Sequence, residues 1–165
     1  MAATIYSEAH EVKTLANQLI SQHHGHLNGI RIDYVFRSDT QKKAGKPVWG
    51  AAQKKGGIDA YLAGQEDEGD GHEAFFVLTI SRPIWDKLTE SSREALVDHY
   101  LSHFWREDET DTEGRTVTKL SLLTPDLQEF SSVYYRHGDW RPDLELFEQI
   151  ASERIATLRI PRRAA

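Results

Sequence analysis

Apolar positions at Ile5, Val12, Leu15, Leu19 and Ile20 fall roughly on one face of a helix over residues 5–24, with Ser7 and Glu11 near its start and Gly25 at its end. Gly29 to Phe36 then alternates apolar and polar residues, the pattern of a half-buried strand. Residues 37–57 carry five glycines and prolines among lysines and predict a loop with a short extended piece, and Ile58 to Leu62 predicts a second strand. An acidic, glycine-rich turn is expected over Gly64–Gly71. The run Ala74-Phe-Phe-Val-Leu-Thr-Ile80 is almost continuously apolar and β-forming, so it predicts a central strand covered on both faces.

The second half is more helical. After a turn at Arg82–Trp85, the spacing predicts a helix from about Ser91 to Arg106, with Ser91 and Glu94 at capping-box distance. An acidic loop, Glu107 to Gly114, separates that helix from the stretch Val117–Leu123. Pro125-Asp126 opens a helix that runs through Tyr135 and stops at Gly138, because proline suits a first helical turn. A last helix spans Pro142 to about Leu158, followed by a basic tail over 159–165. No repeat and no dividing linker interrupts the pattern, so a single α+β domain over 1–165 is expected, with a small, mainly antiparallel sheet packed against the 91–106 helix and helices at both ends.

Composition narrows the chemistry. The 165 residues contain no cysteine, which excludes disulfides, thiolate metal sites and a cysteine nucleophile, so a bound metal must take imidazole or carboxylate donors. Net charge is -6, which argues against unspecific nucleic-acid affinity. Residues 1–20 place Glu8, His10, Glu11 and Lys13 where a signal peptide needs an apolar core, and no run reaches membrane-spanning length, so the expected compartment is the cytoplasm of whichever cell makes the protein, a bacterial host cell if the family resemblance given below holds.

The candidate chemistry lies at His99-Tyr-Leu-Ser-His103. Residues four apart on a helix stack on one face, so His99 and His103 offer two imidazoles to a single ion. Two satisfied surface histidines would give the same spacing. His23, His24 and His26 crowd a predicted helix end, where cations are favoured without a metal. Trp85, Trp105, Tyr134, Tyr135 and Trp140 read as core or partner-facing aromatics, with burial the first choice, and Asp98 is expected to cap or to pair with Arg93 or Arg136.

Four stretches together resemble the phage metallopeptidase family of zincin-like proteins: Ile30-Arg-Ile32, Phe75-Phe-Val-Leu-Thr-Ile80, Ala95-Leu-Val-Asp-His-Tyr-Leu-Ser-His103, and Pro125-Asp-Leu-Gln-Glu-Phe130 followed by Arg136-His-Gly-Asp-Trp140. The similarity covers about residues 27–147. It implies a metal, zinc being expected, held by His99 and His103. The family's helix motif reads His-Glu-x-x-His, and Tyr100 stands in this chain where that glutamate belongs. In such motifs the glutamate is the general base, a role for which a phenol is poorly suited at neutral pH.

Three donors are expected for zinc. His137 is the first choice for the third, because it lies in the segment that the resemblance pairs with the site; Asp126 and Glu129 are alternatives. The functional expectation is a zinc-binding, metallopeptidase-like phage or prophage protein without ordinary peptidase activity. Two other readings stand beside it. One is an acidic protein that inhibits a host factor through the segments Glu66–Asp70 and Glu107–Glu113. The other is an active zinc hydrolase with a displaced base such as Glu129 or Glu94.

Overall fold

Phe75, Phe76, Leu78, Ile80 and Ser81 are all buried, as the apolar run demands, and their strand lies inside a four-stranded sheet. The computed structural model describes residues 2–64 and 73–159. The acidic segment Glu66–Asp70 and all but the first residue of the basic tail lie outside those residues. The chain divides into two units, Met1–Leu123 and Thr124–Ala165.

In the first unit the order is β1 (Tyr6–Glu8), α1 (His10–His23), a 3-10 turn at Gly25–Leu27, β2 (Ile32–Arg37), β3 (Lys42–Lys43), β4 (Lys46–Pro47) and β5 (Gly50–Lys55). There follow α2 (Ile58–Leu62), β6 (Phe75–Ser81), α3 (Arg82–Trp85), α4 (Glu90–Leu101), β7 (Phe104–Thr110) and β8 (Thr116–Leu122). The main sheet has the order β1-β2-β6-β5; β2 and β6 run parallel, and the outer pairs are antiparallel. β3 with β4 and β7 with β8 form separate antiparallel hairpins. The fold is α+β.

One apolar core joins these elements. α1 contributes Val12, Ala16 and Leu19, the sheet Phe36, Phe76, Leu78 and Ile80, α4 Leu96, Val97 and Leu101, and the β7–β8 hairpin Phe104 and Leu120. The rings of Phe76 and Phe104 stack with centroids 4.2 Å apart. Burying a side chain of that size stabilises the fold by about 1.5–3 kcal/mol.

Several elements differ from the pattern read along the chain. The first helix begins at His10, not near Ile5, because Tyr6–Glu8 pairs with β2 and leaves Ile5 exposed. Gly50–Lys55 is a full strand inside the expected loop; its sequence, Gly-Ala-Ala-Gln-Lys-Lys, shows no alternation, and pairing with β6 defines it. Ile58–Leu62 is a short helix rather than a strand. Gly57, at φ 53°, turns the chain, and Tyr61 and Ala63 donate their amides to the carbonyls of Gly57 and Asp59. Arg82–Trp85 is likewise helical, with proline in its first turn.

The helix expected over 91–106 runs from Glu90 to Leu101 only. Its cap is Thr89, whose hydroxyl accepts from the Ser92 amide, in place of the Ser91–Glu94 box. Phe104 and Trp105 leave the helix because they pair in register with Leu122 and Ser121 of β8. The first half of the expected acidic loop is therefore strand, closed by a turn at Asp111–Arg115.

The second unit contains α5 (Ser131–His137) and α6 (Pro142–Arg159). The helix expected from Pro125 starts only at Ser131, and Gly138 ends it as expected. Glu129 organises the segment before it: its carboxylate accepts from the Phe130 amide and the Trp140 indole, and Arg141 lies 3.9 Å away. Of the five aromatics expected in the core or facing a partner, Trp85 is buried in the core, and Trp105, Tyr134, Tyr135 and Trp140 are exposed.

Candidate metal centre

α4 presents three different faces at its last turn. Leu96, Val97 and Leu101 point into the core, Tyr100 packs half-buried against it, and His99 is exposed. Ser102 caps the helix, so His103 lies just beyond its end rather than on it. The two imidazoles still meet: their ring centroids are 5.0 Å apart and nearly perpendicular.

The break in the helix gives His103 a partner that a continuous helix would not. The Leu123 amide donates to the His103 carbonyl at 2.7 Å, extending the β7–β8 ladder by one step. The Leu123 carbonyl in turn lies 2.7 Å from Nδ1 of the His103 ring. A carbonyl can only accept, so Nδ1 carries the proton and the neutral ring has its lone pair on Nε2. A carbonyl that orients one ring nitrogen in this way is the usual support behind a metal-binding histidine. Desolvation lowers the pKa of His99, and the neighbouring His103 adds to the shift. His99 is therefore held toward its neutral, ligand-competent form.

Tyr100 is wedged between the pair and the sheet. Its ring stacks on His103 with centroids 6.0 Å apart and meets His99 edge-on at 5.1 Å. Gly50, the first residue of β5, makes room for it. A Cβ there would come within 2.9 Å of Cε2 and 3.0 Å of Cζ of that ring, and within 2.5 Å of the Thr79 carbonyl. Burial raises the phenol's pKa, offset in part by a hydrogen bond with the Gly50 backbone. Tyr100 thus keeps its proton at neutral pH.

Asp98, next to the pair, takes neither expected arginine. It accepts from Nε2 of buried His24 at 2.6 Å, joining the end of α1 to the last turn of α4. His26 turns its Nε2 to the Phe104 carbonyl at 3.1 Å and packs on Trp105. These histidines are committed to structural bonds. The partners Gly50, His24 and Leu123 gave no local signal, since each comes from an element distant in the chain.

His137 is exposed at the end of α5 in the second unit, where Glu129 is engaged as described above. Among the described residues no three His, Asp or Glu side chains form a group that could hold a metal ion. His99 and His103 are thus a pair of nitrogen donors, and their chemistry fits two positions around a divalent ion.

An α+β domain with a histidine pair at the end of a core helix, braced by a hairpin carbonyl, belongs to the metallopeptidase-like class. The family model described as "Putative phage metallopeptidase" matches residues 4–152, and the chain belongs to that family. Neither curated proteins nor solved structures give a match. Among the described residues no helix is long and apolar enough to cross a membrane.

Proposed function

We propose that this chain is a zinc-binding member of its family that has lost ordinary peptidase chemistry. The observation that carries the reading is the bond between His103 Nδ1 and the Leu123 carbonyl, which leaves Nε2 open beside His99. His99 and His103 would hold the ion as its two protein donors. When bound, zinc supplies a Lewis-acid centre that polarises a carbonyl and acidifies water.

Tyr100 cannot serve as the family's glutamate does. A general base must accept a proton near neutral pH, and a phenol pushed above its ordinary value by burial stays protonated. Its ring also fills space against β5. The remaining role is structural: the ion would tie His99, on the last turn of α4, to His103 at the start of the β7–β8 hairpin.

Neither alternative gains support from the geometry. The carboxylates of the β7–β8 hairpin lie among cations, Asp108 with Arg106, Asp111 and Glu113 with Arg115, and Glu109 with Lys119, which weakens an acidic field for a host partner. Glu129, offered as a displaced base, already accepts from an amide and an indole.

Metal analysis of protein purified without a histidine tag tests the reading. About one zinc per chain is expected, lost in His99→Ala and His103→Ala. Chelator is expected to lower Tm, since a ligand at about 100 times its Kd adds about 2.7 kcal/mol. Tyr100→Glu is expected to raise zinc-dependent peptide hydrolysis by about 10²–10⁴ over the parent. No bound zinc, with Tm unchanged in chelator, refutes the metal; hydrolysis by the parent that Tyr100→Glu leaves unchanged refutes the loss of activity.

A further inference from the structure

α6 carries an exposed seam that nothing in its own unit covers. Among the described side chains of α6 only Leu144 is buried, while Leu146, Phe147, Ile150 and Ile155 are each at least half exposed. Asp143, Phe147, Ile150 and Arg154 follow one another at spacings of four, three and four residues, the stripe that faces a partner helix in a coiled-coil seam. The stripe is apolar in its middle, acidic at one end and basic at the other. Leu146 flanks the middle.

We infer that this seam is the docking surface for a second copy of the same chain, with the two α6 helices antiparallel. The argument is self-complementarity. An antiparallel pairing centred between Glu148 and Gln149 puts Phe147 of each copy opposite Ile150 of the other, and Asp143 opposite Arg154. Such a two-fold contact repeats every interaction twice, as an isologous dimer requires. A parallel pairing would set like charge against like at both ends.

Charge along the whole helix points the same way. Its first half holds Asp143, Glu145 and Glu148 with no basic residue, and its second half holds Arg154 and Arg159 with Glu153 as the one acid. The helix dipole favours acids first and bases last on any helix. It does not account for apolar residues left in water between them. Arg154 has no ion pair among the described residues, whereas Asp143 is held in place by Arg141 at 3.0 Å.

A single helix pair is a small interface, so the association is weak and concentration-dependent. Sedimentation equilibrium of the full chain over a wide concentration range tests it. A monomer–dimer equilibrium is expected. Arg154→Asp alone and Asp143→Arg alone should each raise the dimer Kd by about tenfold or more, and the double swap should restore it, since it rebuilds both pairs with signs exchanged. Circular dichroism checks that each variant keeps its helices. Should Asp143→Arg disturb α6 through its lost bond to Arg141, Phe147→Glu gives a second reading and is expected to leave only monomer. A parent that stays monomeric at all concentrations, or a dimer indifferent to both Arg154→Asp and Phe147→Glu, overturns the inference. These outcomes are independent of metal content.

Discussion

Gly50→Ala probes the close approach that seats Tyr100. The added methyl would lie 2.5 Å from the Thr79 carbonyl and 2.9–3.0 Å from two atoms of the Tyr100 ring. The ring could shift by some tenths of an ångström. The carbonyl cannot, because Thr79 belongs to β6, which is paired on both sides with β2 and β5. Relief must come from β5 moving off the sheet, and overpacking of this kind costs about 1–3 kcal/mol. A loss of about 2 kcal/mol lowers Tm by roughly 4–8 °C in a chain of this size. Tyr100→Ala removes the ring contacts and leaves the carbonyl contact, so Gly50→Ala should cost about 0.5–1.5 kcal/mol less in that background. Urea unfolding of the four proteins, followed by tryptophan fluorescence, gives the cycle. Gly50→Ala within about 0.3 kcal/mol of the parent, or a strictly additive cycle, would refute the account of Tyr100 as a wedge against β5.

Two further outcomes follow from the core. Glu11 accepts from the indole of buried Trp85 at 2.9 Å and from Arg82 at 3.1 Å, and these bonds hold its carboxyl below the usual 4.5, the indole foremost. A depressed folded pKa means that its contribution is whole above the unfolded value and fades as pH falls through the folded one; Glu11→Gln should therefore flatten the acid limb of urea midpoints measured between pH 6 and 3, and an unchanged slope contradicts this. Phe104 is fully buried and stacked on Phe76, so Phe104→Ala should cost about 3–5 kcal/mol, and a loss under about 1 kcal/mol would show that the hairpin is not anchored there.

Several features could be read directly along the chain, and for a common reason. The 75–81 strand, the core face of α4 and the length of α6 each repeat a pattern over many residues, so local preference and burial agree. The spacing of His99 and His103 was equally plain, and the ordered stretches around it marked the family. Tertiary contacts decided the rest. β5 is a strand because β6 offers it a ladder, not because Gly-Ala-Ala-Gln-Lys-Lys favours one. The helix stops at Leu101 because Phe104 and Trp105 gain more from pairing with β8 and stacking on Phe76 than from another helical turn. That stop hands His103 to Leu123, twenty residues away, and so selects which ring nitrogen keeps its lone pair. Residue spacing can put two imidazoles near each other, but a proton's position on one of them depends on a carbonyl that only the folded hairpin brings within reach.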